Sequence, residues 1–263
     1  MSEIVLTETR DAVRIITLNR PEARNALNTA LHRASATALA QAEDDDDIAV
    51  VILTGSDPAF CAGLDLKELG ASGANLSGGR TENADEIEAR WNNPIQAVWQ
   101  MTKPVIGAIN GACITGGFEL ALGCDFLVAS ERAAFGDTHG RVGVTPGGGM
   151  SVFLPMAIGL RRAKELTFSG NFLLAQPALE AGLVNHVVPH DELIDFTSAL
   201  ASDIASNDSP TVRHLKKLYD HNSRLAPGPA LDHEHDVFRD YKVDFAELER
   251  RREKVVERGR TQQ

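Results

Sequence analysis

Two stretches near the start of the chain, Ile4 to Thr9 and Val13 to Leu18, alternate apolar and polar positions on either side of the polar pair Arg10 and Asp11, which predicts a β-hairpin. Asn28 then stands where a helix N-cap is expected, and Leu31, Ala38 and Leu39 fall on the inward face of a helix running to about Glu43. The acidic run Glu43 to Asp47 that follows reads as a solvated loop. Ala49 to Leu53 and Val105 to Ile109 are unbroken apolar runs of strand length, as expected of strands buried on both faces. A helix is predicted from about Glu82 to Met101, a short buried helix over Phe118 to Gly123, and a strand over Phe126 to Ala129.

Between Gly70 and Asn83 the chain turns to Gly, Ser, Ala and Asn, a composition that builds no core and predicts a mobile surface segment, a lid if it borders a cleft. Strand and helix signals alternate to about Val188, the pattern of a layered α/β core. From Asp191 onward the pattern is helical: Glu192 to Ser206, Ser209 to His221, Pro229 to Tyr241 and Asp244 to Arg258. The chain thus reads as a core over residues 1–190 and a helical region over 191–263. The last helix carries Arg250, Arg251 and Arg252 among glutamates and few apolar residues, so it is either a solvated tail or part of an oligomer interface.

Composition narrows the function classes. The 263 residues include 43% hydrophobic and 24% charged side chains, with 26 basic against 37 acidic and a net charge of −11. That balance argues against nucleic-acid or anionic-membrane partners, which require a clustered basic face. Cys61, Cys113 and Cys124 are odd in number and lack CxxC spacing, so reduced core thiols are expected rather than a disulfide framework or zinc site. The first residues, MSEIVLTETR, lack the basic and apolar regions of a signal peptide, and no window approaches a membrane span, so the expected compartment is the cytoplasm.

Common catalytic signatures are missing: GxGxxG after a strand, GK[ST], GxSxG and HExxH. His233, Glu234 and His235 cluster locally but read as a solvated helix start, and no metal site is expected. Two glycine-containing passages remain, FCAGLDLKE over 60–68 and NGACITGGFEL over 110–120, each following a predicted strand and opening a helix. In such turns glycine permits close backbone approach and the helix start offers free amides. Two amides converging on one point would make an oxyanion hole, although each passage alone also reads as an ordinary strand-to-helix turn.

Together these passages carry a resemblance. NGACITGGFELALGCDF, with FCAGLDLKEL before it and FGDTHGRVGVTPGGG after it, resembles the crotonase superfamily, the enoyl-CoA hydratase/isomerase family, and the likeness runs from NRPEARNAL near residue 19 to LEAGLVNHVVP near residue 189. The resemblance implies an α/β fold, a spiral of ββα units with a C-terminal helical region, assembled as a homotrimer or dimer of trimers. It implies an acyl-CoA thioester substrate, with coenzyme A part of the substrate and no separate cofactor, and an enolate intermediate.

By motif position, the peptide N–H groups of Leu64 and Gly116 hold the thioester oxygen, Glu119 is one catalytic glutamate, and Arg24, Ala62, Asp65, Leu66 and Lys67 lie where coenzyme A is bound, with Arg20 a weaker candidate. At the second catalytic position this sequence has His139 instead of glutamate, and Asp137, two positions early, does not replace it. An imidazole, with a reference pKa of ~6.5, relays protons as a carboxylate does. Three readings stay open: hydration of a 2-enoyl-CoA by Glu119 and His139, Δ3,Δ2-isomerisation by Glu119 alone, and acyl-CoA binding without turnover.

Overall fold

A computed structural model describes residues 3–68, 93–243 and 245–261. The expected lid over 70–83 and the first part of the helix expected over 82–101 lie outside the described residues. The hairpin forms as β1 (Val5–Arg10) and β2 (Val13–Leu18), closed by Asp11 in the left-handed region at φ 51°. Asn28 caps α1 (Thr29–Asp44), its side-chain oxygen accepting from the Leu31 N–H at 2.9 Å.

The core is built from strands that alternate between two sheets. β3 (Val50–Gly55), β5 (Val105–Ile109) and β7 (Phe126–Ser130) run parallel in a six-stranded sheet of order β1-β2-β3-β5-β7-β10, where β10 is His186–Val188. The strand after each of them, β4 (Ala59–Cys61), β6 (Ala112–Ile114) and β8 (Ala134–Gly136), crosses into a second sheet, which β9 (Phe172–Leu174) closes antiparallel. Repeating that crossover gives the ββα spiral. The chain leaves the second sheet at β6 and β8 directly into helices, so the crossovers deliver successive helix starts to one region.

The large sheet is covered on both faces, which is why β3 and β5 read as continuous apolar runs. On one side Val13, Ile15, Val50, Ile52, Ile106 and Val128 pack with Leu193 and Ala201. On the other Ile16, Leu18, Leu39, Val51, Leu53 and Phe118 belong to the main core, with all three cysteines, which are free and buried.

Two differences from the sequence reading have local causes. Near residue 94 the helix begins at Pro94, forming α2 (Pro94–Gln100), because extended Asn93 caps it by accepting from the Ile95 N–H at 3.0 Å and Pro94 sits in its first turn, where a missing N–H costs nothing. The helix Leu193–Ala205 packs on the large sheet, so the first compact unit runs to Arg213, past residue 190. The second unit, 214–263, contains the helices Pro227–Asp240 and Phe245–Thr261 and leaves Tyr219, Phe238 and Phe245 between 75% and 80% exposed.

One buried side chain ties the segment before α1 to the crossover from β3 to β4. Asn25, fully buried at φ 56°, donates to the Ser56 and Ala59 carbonyls at 2.8 and 2.7 Å and accepts from the Arg20 N–H at 2.8 Å. Replacing Asn25 with alanine strands these partners in a dry site. Each unpaired group costs about 1–3 kcal/mol, so chemical denaturation of Asn25→Ala is expected to show a loss of at least about 2 kcal/mol.

Candidate active site

Two strand-to-helix turns meet at the centre of the site. The first leaves β4 through Ala62, Gly63 and Leu64, and the segment before α1 holds it by three backbone bonds: Ala62 N–H to the Arg24 carbonyl at 3.0 Å, Leu27 N–H to the Gly63 carbonyl at 2.7 Å, and Asp65 N–H to the Leu27 carbonyl at 3.1 Å. The second leaves β6 through Thr115 into α3 (Gly116–Leu122). Gly63 adopts φ +90°, and a Cβ on it would lie 2.9 Å from the Ile114 carbonyl oxygen and 3.3 Å from the Gly116 nitrogen. At Gly117 a Cβ would fall 2.2 Å from the Cys61 carbonyl oxygen, well inside contact distance. The backbones therefore touch where only glycine fits.

The predicted oxyanion donors are brought together by that contact. A Cβ on Gly116 would lie 3.6 Å from the Leu64 nitrogen, and neither the Leu64 nor the Gly116 N–H donates to another described residue. Thr115 pays for the second turn's direction with an unusual backbone, φ 51° and ψ −110°, a conformation that costs a β-branched residue on the order of 1–3 kcal/mol. Hydrogen bonds hold it there: its N–H donates to the Gly136 carbonyl at 2.8 Å, and its hydroxyl pairs with the Thr138 hydroxyl at 2.6 Å and accepts the Thr138 N–H at 3.2 Å.

Glu119 sits in the first turn of α3 and is buried. It does not cap its own helix. Its Oε1 accepts from the Gly148 N–H at 2.7 Å and the Met150 N–H at 3.4 Å, donors from the glycine-rich loop that opens α5 (Met150–Ile158). Gly148 is needed for that grip, since a Cβ there would lie 2.7 Å from the Glu119 carboxyl. With Oε1 so engaged, Oε2 lies 3.9 Å from Nε2 of His139, the residue that begins the short helix α4 (His139–Val142).

His139 is also buried, and its other ring nitrogen, Nδ1, lies 2.6 Å from Oδ1 of Asp137. The same Oδ1 accepts the His139 N–H at 3.1 Å, so one carboxylate oxygen holds both the backbone and the ring of the residue two positions on. Asp137 is fully buried. Burial alone would push its carboxyl up, but hydrogen bonds from the His139 ring and backbone and from the Thr167 side chain together outweigh this and keep it below the usual carboxylate value. The sequence reading set Asp137 aside only as a replacement for the second glutamate, and its contact with His139 was not foreseen. The signal available was the Asp-x-His spacing, at which an aspartate readily forms a turn onto the backbone two residues ahead.

The residues expected at the coenzyme A end are arranged around the first turn. Arg24, Leu66 and Lys67 are exposed, and Ala62 is half-buried. Asp65 faces inward to the protein, accepting from the Lys67 and Glu68 N–H groups at 3.0 and 3.3 Å and from the Arg20 guanidinium at 2.6 Å. That arginine holds the Asp65 carboxyl below its ordinary value. Arg20 also donates to the Ala26 carbonyl at 3.0 Å, so its charge is committed to the fold. In the helical region, His233 bonds the Asn222 side-chain oxygen through Nδ1 at 2.7 Å, and its ring centroid lies 4.1 Å from that of His221, tilted by 39°.

Comparison with known proteins shows the family. Residues 8–261 match the family model described as enoyl-CoA hydratase/isomerase. A probable peroxisomal enoyl-CoA hydratase 1 of Arabidopsis thaliana is 37% identical over 83% of this chain and 79% of its own length. The short-chain-enoyl-CoA hydratase of Clostridium acetobutylicum is 33% identical over 89% of this chain and 87% of its own. Among solved structures, an enoyl-CoA hydratase from Mycobacterium avium is 48% identical with a TM-score of 0.71, covering 83% of this chain and 88% of that one. Another from Bacillus anthracis, 33% identical, reaches a TM-score of 0.82 over 96% of this chain and 97% of its own. With a family model matched over nearly its whole length, the chain belongs to the enoyl-CoA hydratase/isomerase family.

Proposed function

We propose that the protein adds water across the 2,3 double bond of a 2-enoyl-CoA thioester. The observation that carries this reading is the convergence of two amide donors and two buried proton carriers, with His139 Nε2 3.9 Å from Glu119 Oε2. The Leu64 and Gly116 N–H groups receive the thioester oxygen as it becomes anionic, each such donor contributing about 3 kcal/mol to the enolate-like transition state. Glu119, held by the Gly148 and Met150 amides, takes a proton from the water that attacks the β carbon. His139 delivers a proton to the α carbon. The chemistry needs no metal or redox cofactor, and coenzyme A arrives as part of the substrate.

At the mouth, Arg24 and Lys67 supply cations for the nucleotide and pyrophosphate, with Ala62 and Leu66 beside them, and Asp65 shapes the helical turn that carries Lys67. The negative net charge describes the rest of the surface. Among the described residues no helix is long and apolar enough to cross a membrane, and we assign the enzyme to the cytoplasm by likeness to bacterial relatives such as those of Rhizobium meliloti and Mycobacterium bovis. The exposed Tyr219, Phe238 and Phe245 support assembly as a trimer or dimer of trimers. Light scattering is expected to return three or six chain masses, and a monomer mass would refute assembly.

Loss of the conjugated thioester absorbance on adding a 2-enoyl-CoA tests the hydration reading. Glu119→Gln keeps the shape but not the base, and its kcat is expected to fall on the order of 10²–10⁴-fold. Unchanged turnover in that variant would refute the mechanism. Δ3,Δ2-isomerisation has one observation in its favour, that the Glu119 side chain, unlike the His139 ring, is gripped by backbone amides. His139→Ala decides between the two: hydration predicts a loss of about a hundredfold or more, whereas isomerisation predicts that conversion of a 3-enoyl-CoA survives.

A further inference from the structure

We infer that Asp137 is the positioning residue of the α-carbon proton donor, so that an Asp137–His139 pair performs the work of a single carboxylic acid. This rests on the hydration reading above. The geometry is directional: Oδ1 of Asp137 lies 2.6 Å from Nδ1, and the opposite ring nitrogen, Nε2, is aimed at Glu119. An aspartate bonded to Nδ1–H fixes which nitrogen faces the substrate and stabilises the imidazolium, while remaining a carboxylate throughout.

Burial leaves the ring few other partners: His139 is 6% exposed, and the Asp137 carboxylate meets its Nδ1 at 2.6 Å. Asp137 is 0% exposed, and its Oδ1 meets both the ring and the backbone N–H of His139, with the Thr167 side chain as a further donor toward the carboxylate. Among the described residues, Asp137 and Glu119 are the charged groups within ion-pair distance of the ring. Arg141, on the same short helix, is turned to Ser169 and Asn171. The helix Leu160–Ser169, packed on α4, keeps Arg161, Arg162, Lys164 and Glu165 exposed, and the loop and helix that hold Glu119, residues 143–158, contain no charged side chain.

The proton count closes. Water bonds its oxygen to the β carbon and gives one proton to Glu119, and the double-bond electrons pass to the thioester oxygen. The enolate then takes the Nε2 proton of His139 at the α carbon, leaving a neutral imidazole beside a neutral Glu119. Transfer from Glu119 Oε2 to His139 Nε2, across the gap of 3.9 Å or through one water, restores carboxylate and imidazolium. The net change is one water added to one double bond. Thr138, between the pair, is bonded to Thr115, so the donor is fixed to the turn that carries the Gly116 amide.

The test compares wild type with Asp137→Asn, His139→Glu and the double variant. Each is assayed for exchange of the α protons of butyryl-CoA in D2O, which requires an enolate but no water addition, and for hydration of crotonyl-CoA. Asp137→Asn is expected to slow exchange about a hundredfold with KM nearly unchanged, the lower end for a general acid–base group. In the His139→Glu background the sign reverses: Asp137 is then a like charge beside the new carboxylate, and Asp137→Asn is expected to raise exchange. A slowing of equal size in both backgrounds, or no slowing in the first, overturns the proposal.

Wild type that exchanges but does not hydrate refutes the hydration reading and leaves the pair standing. Wild type that hydrates while Asp137→Asn is as fast refutes the pair alone, and wild type that does neither refutes both. Should the variants not fold, nitrogen-15 NMR of labelled histidine in wild type decides: a strongly downfield Nδ1–H proton is expected, and an unprotonated Nδ1 overturns the proposal.

Discussion

The structure depends on a close approach of two backbones. Where the turn after β4 crosses the turn after β6, a Cβ on Gly117 would collide with the Cys61 carbonyl and one on Gly63 with that of Ile114. Side chains of any size would hold these turns apart and separate the Leu64 and Gly116 amides. The rest of the core can be seen as the apparatus that presses them together. Parallel strands alternating between two sheets bring both helix starts to one region, and the segment before α1 clamps the first turn through Ala62, Gly63 and Asp65.

Strain and hydrogen bonding are coupled around that contact. The Thr115 backbone is costly for a residue with a branched β carbon, yet the same threonine bonds Gly136 and Thr138 and thereby fixes the strand end that leads to His139. The Leu64 and Gly116 amides, Glu119 and His139 are thus not independent. Glu119 follows the second turn by one helical step, and its carboxylate reaches across to Gly148 and Met150 on a third segment. Three crossovers of the spiral contribute to one small volume, and a shift in any of them moves all the groups.

The electrostatics follow from burial. A glutamate, a histidine and an aspartate lie in contact with almost no access to water, which would be destabilising for isolated charges. Each is accommodated by particular donors: backbone amides for Glu119, the ring and backbone of His139 for Asp137. The arrangement keeps three ionisable side chains together at the candidate site. By contrast, Arg20 and Asp65 neutralise each other at the edge and stabilise the turn rather than the chemistry.

The sequence by itself determined what is local. Apolar runs marked β3 and β5, the Asn28 cap marked the start of α1, and glycine spacing marked the two strand-to-helix turns that meet at the candidate site, because each signal lies within a few consecutive residues. Strands of three residues such as β4, β6 and β8 show no period, so the second sheet was not legible. Nor was the contact of Asp137 with the His139 ring, which no spacing rule in the sequence gives. Only the tertiary structure decided that its carboxylate turns onto the His139 ring and that the far nitrogen faces Glu119, because this depends on the separation of side chains from β8 and α3, which are remote in sequence. The placement of the helix Leu193–Ala205 against the large sheet was decided in the same way, by an apolar face that finds its partners in strands more than sixty residues earlier.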